Sequence, residues 1–481
     1  MRKTASMLLV LVFLTASCIM VAKPALSSAD LAENSWTPKA PMHQARTALG
    51  VAAVKGKIYA IGGSTHEGSA RDITAEDTVG TNEEYDPATD TWIFKEPMPT
   101  PRNGFAIATF DDKIYCIGGY LSNGAVTGIN EVYDPATDTW ETKAPMLTPR
   151  IGLKANAAYG KIYLIGGYVK KPGDLLLTFN ITYSSLNEAY NPANDSWATM
   201  KPLPTPVSSY ASSVVNGKIF VVGGVSNTSV ATLNQVYDAE ADTWSQGAAP
   251  PSTIAYGVAV ATTGINAPKR IYILHQDLSS PDGPFNGNTV LRVYDPEKGS
   301  WSSATTPPTN RASYGVAIVN DMLYVIGGGT AAYQTYPDDW VYGPSVTLYA
   351  ANEQYTPFGF RIVPPVVSLV SPENKTYSSG NLPLVFAVNK PTVWMGYSLD
   401  GQETITATGN ATLDALAVGL HNITVYANDT FGNTGVSETI SFTVAAPEPE
   451  PFPTVPVAVA SVTSFAVAVV GLLVYFRKRR R

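Results

Sequence analysis

The sequence predicts an all-β chain, and three observations carry that expectation. Charged residues make up only 15% of 481 positions, against roughly 25% in an average soluble domain. Gly (39) and Pro (36) supply about one residue in six, the punctuation of many short strands and turns. A motif also recurs: Gly-Gly closes a short apolar run, Tyr-Asp-Pro or a variant follows, and then Trp. Low charge with frequent turn formers excludes a coiled coil and argues against a helix-rich enzyme. A formal net charge of -7 lacks the basic footprint that sequence-independent nucleic-acid binding requires.

The Gly pairs are Gly62-Gly63, Gly118-Gly119, Gly166-Gly167, Gly223-Gly224 and Gly327-Gly328. The tyrosines are Tyr85, Tyr133, Tyr190, Tyr237 and Tyr294, and the tryptophans Trp92, Trp140, Trp197, Trp244 and Trp301, successively 48, 57, 47 and 57 residues apart. Each unit reads as four strands, for example Gly104 to Thr109, Lys113 to Ile117, Asn130 to Tyr133 and Thr139 to Thr142. Asp134-Pro135-Ala136-Thr137-Asp138 supplies a tight turn, with Pro setting φ and Asp bonding its own backbone. One such sheet cannot cover both its faces, whereas a ring of sheets can. Six units can be counted. The sixth, Ala312 to Tyr355, lacks a tryptophan, and Trp36-Thr37-Pro38-Lys39-Ala40-Pro41-Met42 matches the segment after the others. The N-terminal strand is therefore expected to join the last unit, which would otherwise keep an open edge.

Across residues 36 to 357 these motifs resemble the kelch repeat in order and spacing. The resemblance implies a six-bladed β-propeller over residues 30–358, closed by its N-terminal strand around a channel. Unit five departs from the pattern: aligned on Arg270-Ile271-Tyr272, it has His275-Gln276 in place of the Gly pair. Polar side chains then stand near the channel mouth where other units have none, and both are candidate ligand contacts, with a structural histidine as the plainer reading.

Arginines precede the first strand at Arg46, Arg102, Arg150 and Arg311, and the same four units carry Glu83, Glu131, Glu188 and Glu353. Units four and five lack both, with Gln235 and Arg292 at the Glu position. Joint presence or absence points to a structural Arg–carboxylate pair in each unit; an anion site on the channel face is the competing reading. Long second-to-third loops hold Asp72, Glu76, Asp77, Phe179, Tyr183, Asp277, Asp282 and Phe285. The densest set is Tyr333, Tyr336, Asp338, Asp339, Trp340 and Tyr342. Aromatics beside carboxylates in loops are a platform for sugars or a cationic partner; packing over the loops' own sheets is the bland alternative. His43, His66, His275 and His421 show no metal-ligand spacing, and neither a nucleophile elbow nor a phosphate-cradling loop occurs. No catalytic residue, metal or cofactor is expected. Kelch-type propeller enzymes that act on sugars use groups that spacing does not reveal, so a mutarotase- or oxidase-like enzyme stays as the alternative.

The ends read differently. Arg2 and Lys3, the apolar run Ala5 to Ala22 and Ser27-Ser28-Ala29 have the layout of a signal peptide over 1–29, an uncleaved anchor being the alternative. Val455 to Phe476 is a 22-residue stretch without charge, about 33 Å as a helix and long enough for a membrane. The basic tail 477–481 places that end in the cytoplasm. Cys18 leaves with the signal, so Cys116 has no disulfide partner and reads as a small buried hydrophobe. Residues 361–445 alternate apolar and polar positions between turns about ten apart, which fits a β-sandwich. Tyr397-Ser398-Leu399-Asp400-Gly401 and Asp429-Thr430-Phe431-Gly432-Asn433-Thr434 resemble Ig-like modules of archaeal surface proteins. Residues 446–454 form a Pro/Glu stalk, which with the span and tail resembles archaeal C-terminal sorting signals. Possible N-glycosylation sites are Asn180, Asn194, Asn227, Asn374, Asn410, Asn422 and Asn428. The expectation is a single-pass cell-surface binding or adhesion protein for extracellular glycan or protein, with a structural envelope component as a further alternative.

Overall fold

A computed structural model describes residues 32–69, 75–169, 182–227, 229–277, 288–332, 345–446 and a few positions between 469 and 477. The chain divides into two compact units, 1–361 and 362–481. The first contains six four-stranded antiparallel sheets in chain order. Sheet two is typical: Ala106–Phe110, Lys113–Ile117, Asn130–Asp134 and Thr139–Lys143. The first strands of the six sheets are Gly50–Val54, Ala106–Phe110, Lys154–Ala158, Ala211–Val215, Ala255–Ala261 and Gly315–Val319. Each packs against the first strand of the next, and the sixth packs against the first, so these strands form a closed inner ring. Second strands such as Lys57–Ile61 and Met322–Ile326 are apolar almost throughout and buried between neighbouring sheets.

Sheet six takes its outer strand from the other end of the unit. Ser35–Lys39 pairs antiparallel with Asn352–Thr356, Trp36 opposite Tyr355. This is the segment that the sixth unit's missing tryptophan pointed to.

The repeated motif explains itself as a tie between sheets. Tyr85, Tyr133, Tyr190 and Tyr237 donate to Asp90, Asp138, Asp195 and Asp242 at 2.5–2.7 Å. The same carboxylates accept a backbone N–H from the preceding sheet: Ala40, Glu96, Ala144 and Lys201, at 2.8–2.9 Å. Asn34 does this work at the closure, accepting from Tyr355 and from the Thr305 N–H. Each indole then donates to the preceding sheet, from Trp92 to the Ala40 carbonyl at 2.7 Å through Trp36 to that of Thr305 at 2.8 Å. Each Trp ring packs tilted against its Tyr, 4.7–5.1 Å between centroids, which adds about 0.5–1.5 kcal/mol per pair beyond buried area.

The second unit has two sheets sharing one core. Val367–Ser371, Leu382–Val388 and Ala411–Leu413 form one; the other is built around Thr392–Leu399, Gly419–Asp429 and Ile440–Val444. Leu384 and Phe386 from the first meet Ile423, Val425 and Phe442 from the second. The expected signal peptide (1–29), and nearly all of the stalk and membrane span, lie outside the described residues. Within the span Val469, Val470, Leu472, Leu473 and Tyr475 are helical and exposed. No helix among the described residues is long and apolar enough to cross a membrane.

Candidate binding face

The four arginines are buried. Arg46 donates to Glu83 at 2.9 Å and Arg102 to Glu131 at 2.5 Å, while Arg150 reaches Glu188 at 2.7 Å and Arg311 reaches Glu353 at 2.8 Å. Each also donates to one carbonyl of the second strand: Ala60, Cys116, Leu164 and Val325. Burial pulls the Arg46 guanidinium down to about 10, with Glu83 opposing, and lowers Arg311 likewise. Sheet four has Val207 and Gln235 instead, the amide bonding both the N–H and the carbonyl of Thr205. Sheet five has Ile254, and its Arg292 turns to Ser303. Each of the four cations is thus buried and paired with a carboxylate of its own sheet, as the scaffold reading expects.

His275 and Gln276 also differ from the expectation that they project at the mouth. Both are buried, at 2% and 1% exposure. Elsewhere the second Gly of the pair has positive φ, and the N–H of Gly63, Gly167, Gly224 and Gly328 bonds the next sheet, as Gly63 does to the Arg102 carbonyl at 2.9 Å. A Cβ on Gly63 would stand 2.7 Å from the Thr47 carbonyl oxygen. In sheet five the second strand instead runs on extended through Gln276. The Gln276 side-chain amide reaches the Arg311 carbonyl at 2.9 Å, replacing that missing N–H bond. His275 donates through Nδ1 to the Gln276 carbonyl, and burial lowers its pKa.

Next to the Gly corners runs a rim that the sequence did not reveal. Two residues before Gly50, Ala106, Lys154, Ala211, Val258 and Gly315, each sheet has a left-handed residue: Ala48, Gly104, Gly152, Ser209, Tyr256 and Ser313, Tyr256 lying in a bulge of its strand between Ala255 and Val258. Backbone bonds link successive members, Ala48 N–H to the Ser313 carbonyl at 2.8 Å and Ser209 N–H to that of Gly152 at 2.7 Å. Five members are small. Tyr256 is bulky, 41% exposed and at φ 51, the same left-handed conformation that Ala48, Ser209 and Ser313 adopt with smaller side chains. Tyr168 lies on Gly152, whose Cβ would be 3.1 Å from its ring, and its hydroxyl is 3.1 Å from that of Tyr120. Burial raises the pKa of both phenols. Tyr183 pairs across from Tyr168 and lies within electrostatic reach of Tyr256. One side of the rim is thus tyrosine-lined.

Of the other loop candidates, Glu76 is exposed, Asp77 faces His66 at 3.3 Å and Asp277 is half-buried. Asp72, Phe179, Asp282, Phe285 and the set Tyr333, Tyr336, Asp338, Asp339, Trp340 and Tyr342 lie outside the described residues, as does Asn180. Asn194, Asn227, Asn374, Asn410 and Asn422 are exposed, whereas Asn428 is half-buried. Among the described residues no group of three or more His, Cys, Asp or Glu is placed to hold a metal. An open groove of about 720 Å³ belongs to the second unit, between Pro365, Val367, Val436 and Ile440, with Ser368, Thr434 and Glu438 also in its lining; it carries none of the groups above.

Comparison with known proteins bears on the first unit. The KLHDC2/KLHL20/DRC7 Kelch-repeats domain matches residues 104–328, and the Kelch motif matches residues 45–99. Kelch-like protein terF of Aspergillus terreus is 31% identical over 311 residues, 62% of this chain and 53% of that protein. Kelch-like protein 36 of Bos taurus is 32% identical over 232 residues, 46% and 34% of the two chains. An Influenza virus NS1A-binding protein homolog of Xenopus laevis is 42% identical over 84 residues, 18% of this chain and 11% of that one. The chain therefore spans about half or less of the length of these relatives. The solved structure of YjhT aligns with a TM-score of 0.48 at 16% identity, over 64% of this chain and 98% of that one. With four-stranded sheets carrying the repeat and family models matching from residue 45 to 328, this part of the chain is a kelch β-propeller.

Proposed function

We propose that the chain is a non-enzymatic, six-bladed binding propeller displayed at a cell surface on an Ig-like spacer and a C-terminal membrane anchor. Its ligand is an extracellular protein or glycan. One observation carries the binding reading: Tyr120, Tyr168, Tyr183 and Tyr256 gather on one side of the rim, with Tyr256 held in a left-handed conformation. Aromatic side chains with polar tips supply contact area at low entropic cost. Among the relatives, the Influenza virus NS1A-binding protein homolog is named for binding a protein, which favours a protein partner. The sequence of both ends, rather than any contact, supports display outside the cell. A sugar-modifying enzyme is the second reading, resting on the kelch resemblance alone.

An array of purified surface proteins and glycans, probed with the full chain, tests this. Capture is expected, and the double variant Tyr168→Ala/Tyr256→Gly is expected to lose it. Capture undiminished in that variant, with the fold intact by circular dichroism, would move the site off this rim.

A further inference from the structure

We propose that the seam between the inner strands of blades three and four, at Lys154 and Asn156, binds a carboxylate carried by the ligand of this face. The inference rests on the binding reading above and specifies its chemistry. Lys154 pairs with Ile165 just as Gly50, Ala106, Ala211, Val258 and Gly315 pair with their second strands. Five equivalent positions hold a small or apolar residue, and only blade three places a cation there. A Cβ on Gly50 would meet Phe105 and Ile107, and one on Gly315 would meet Val51, so this position faces the next blade. Two residues on, along the same side of the strand, comes Asn156, where blades two and six have Ala108 and Ala317.

The seam is donor-rich. Lys154 forms no ion pair among the described residues, and its own N–H faces the Tyr210 hydroxyl at 3.2 Å. Asn156 accepts from Ser212 at 2.9 Å through Oδ1, yet its Nδ2 is buried without an acceptor in a residue 4% exposed. One positive charge beside one neutral donor matches a singly charged acceptor with two oxygens, one for the ammonium and one for the amide. Burial alone holds Lys154 down to about 8, and a bound anion would relieve that cost. Lys154 is partly exposed, one strand start inside the tyrosine rim.

Trace acetylation of the full chain, read lysine by lysine by mass spectrometry, tests the site. The probes are glucuronate and N-acetylglutamate methylamide, each against its neutral counterpart, glucose or N-acetylglutamine methylamide. One acid is expected to slow Lys154 labelling severalfold while its neutral counterpart does not, and which acid succeeds tells a sugar source from a peptide source. Asn156→Ala, copying blades two and six, is expected to lose the protection. Lack of protection by either acid at saturation, equal protection by chloride, or protection undiminished in Asn156→Ala overturns the proposal. Array capture that persists without Lys154 protection removes this site and leaves the binding face; protection without capture does the reverse.

Discussion

Buried arginine and glutamate in this propeller form an internal experiment on what a buried ion pair is for. Four blades use the pair and blade four does without it, placing Val207 where Arg stands and Gln235 where Glu stands. The neighbouring threonine is constant, Thr148 in blade three matching Thr205 in blade four. Removing one partner strands a charge in a dry site, whereas replacing both need not. Arg150→Val is therefore expected to cost about 3–5 kcal/mol, with Glu188 left unpaired. Adding Glu188→Gln should recover most of it, because the new pair is the one blade four already uses. Denaturant unfolding of the four species in this cycle measures the coupling, and a double variant no better than Arg150→Val would refute the scaffold account. That much was legible in the sequence, since the joint absence of Arg and Glu needs no coordinates. What was not legible was the fate of His275 and Gln276: a strand that continues instead of turning hides both side chains, and residue type alone does not announce the change in φ.

At the scale of an element, the long strand Gly419–Asp429 of the second unit is pinned at its start by a histidine. His421 donates through Nδ1 to Asp400 at 2.8 Å and through Nε2 to the Ala417 carbonyl at 2.7 Å, so both nitrogens need their protons. The Ala417 carbonyl first, and then Asp400, raise its pKa above the ordinary 6.5. A raised folded pKa means that the stabilisation is complete below about 6.5 and is lost as pH rises through the folded value. Asp400 runs the other way. Burial opposes its ionisation, but the Asn422 N–H and His421 win and lower its pKa, so its stabilisation is lost only as pH falls through that low value. The unfolding transition of the second unit is expected to be highest between these limits and to fall above neutrality. Calorimetry across pH checks this, and His421→Gln should flatten the alkaline limb while leaving the propeller transition in place. The pairing itself was not legible in the sequence, because Asp400 and His421 meet only when two strands come into register.

For the whole molecule, the decisive contact joins the two ends of the propeller. Trp36 packs tilted against Tyr355, 5.0 Å between centroids, and donates to the Thr305 carbonyl, more than 260 residues away in sequence. Closure over so long a loop is entropically late, so its contacts belong to the side of the barrier nearer the native state. Trp36→Ala is expected to cost on the order of 2 kcal/mol and to speed unfolding by about thirtyfold with little change in the folding rate. Stopped-flow folding and unfolding arms measure both; a loss borne by the folding arm would mean that the ring closes early.

By itself the sequence determined the repeat, the N-terminal strand that completes the last sheet and the pairing of Arg with Glu. Each of these is a periodic or local property, and period and identity are written directly in the chain. Only the tertiary structure decided where function could sit. The rim brings together Tyr120, Tyr168, Tyr183 and Tyr256 from three blades, and the seam sets Lys154 against a neighbouring strand. A site of that kind is assembled from residues that the ring, not the chain, makes neighbours, and no spacing along one sequence records it.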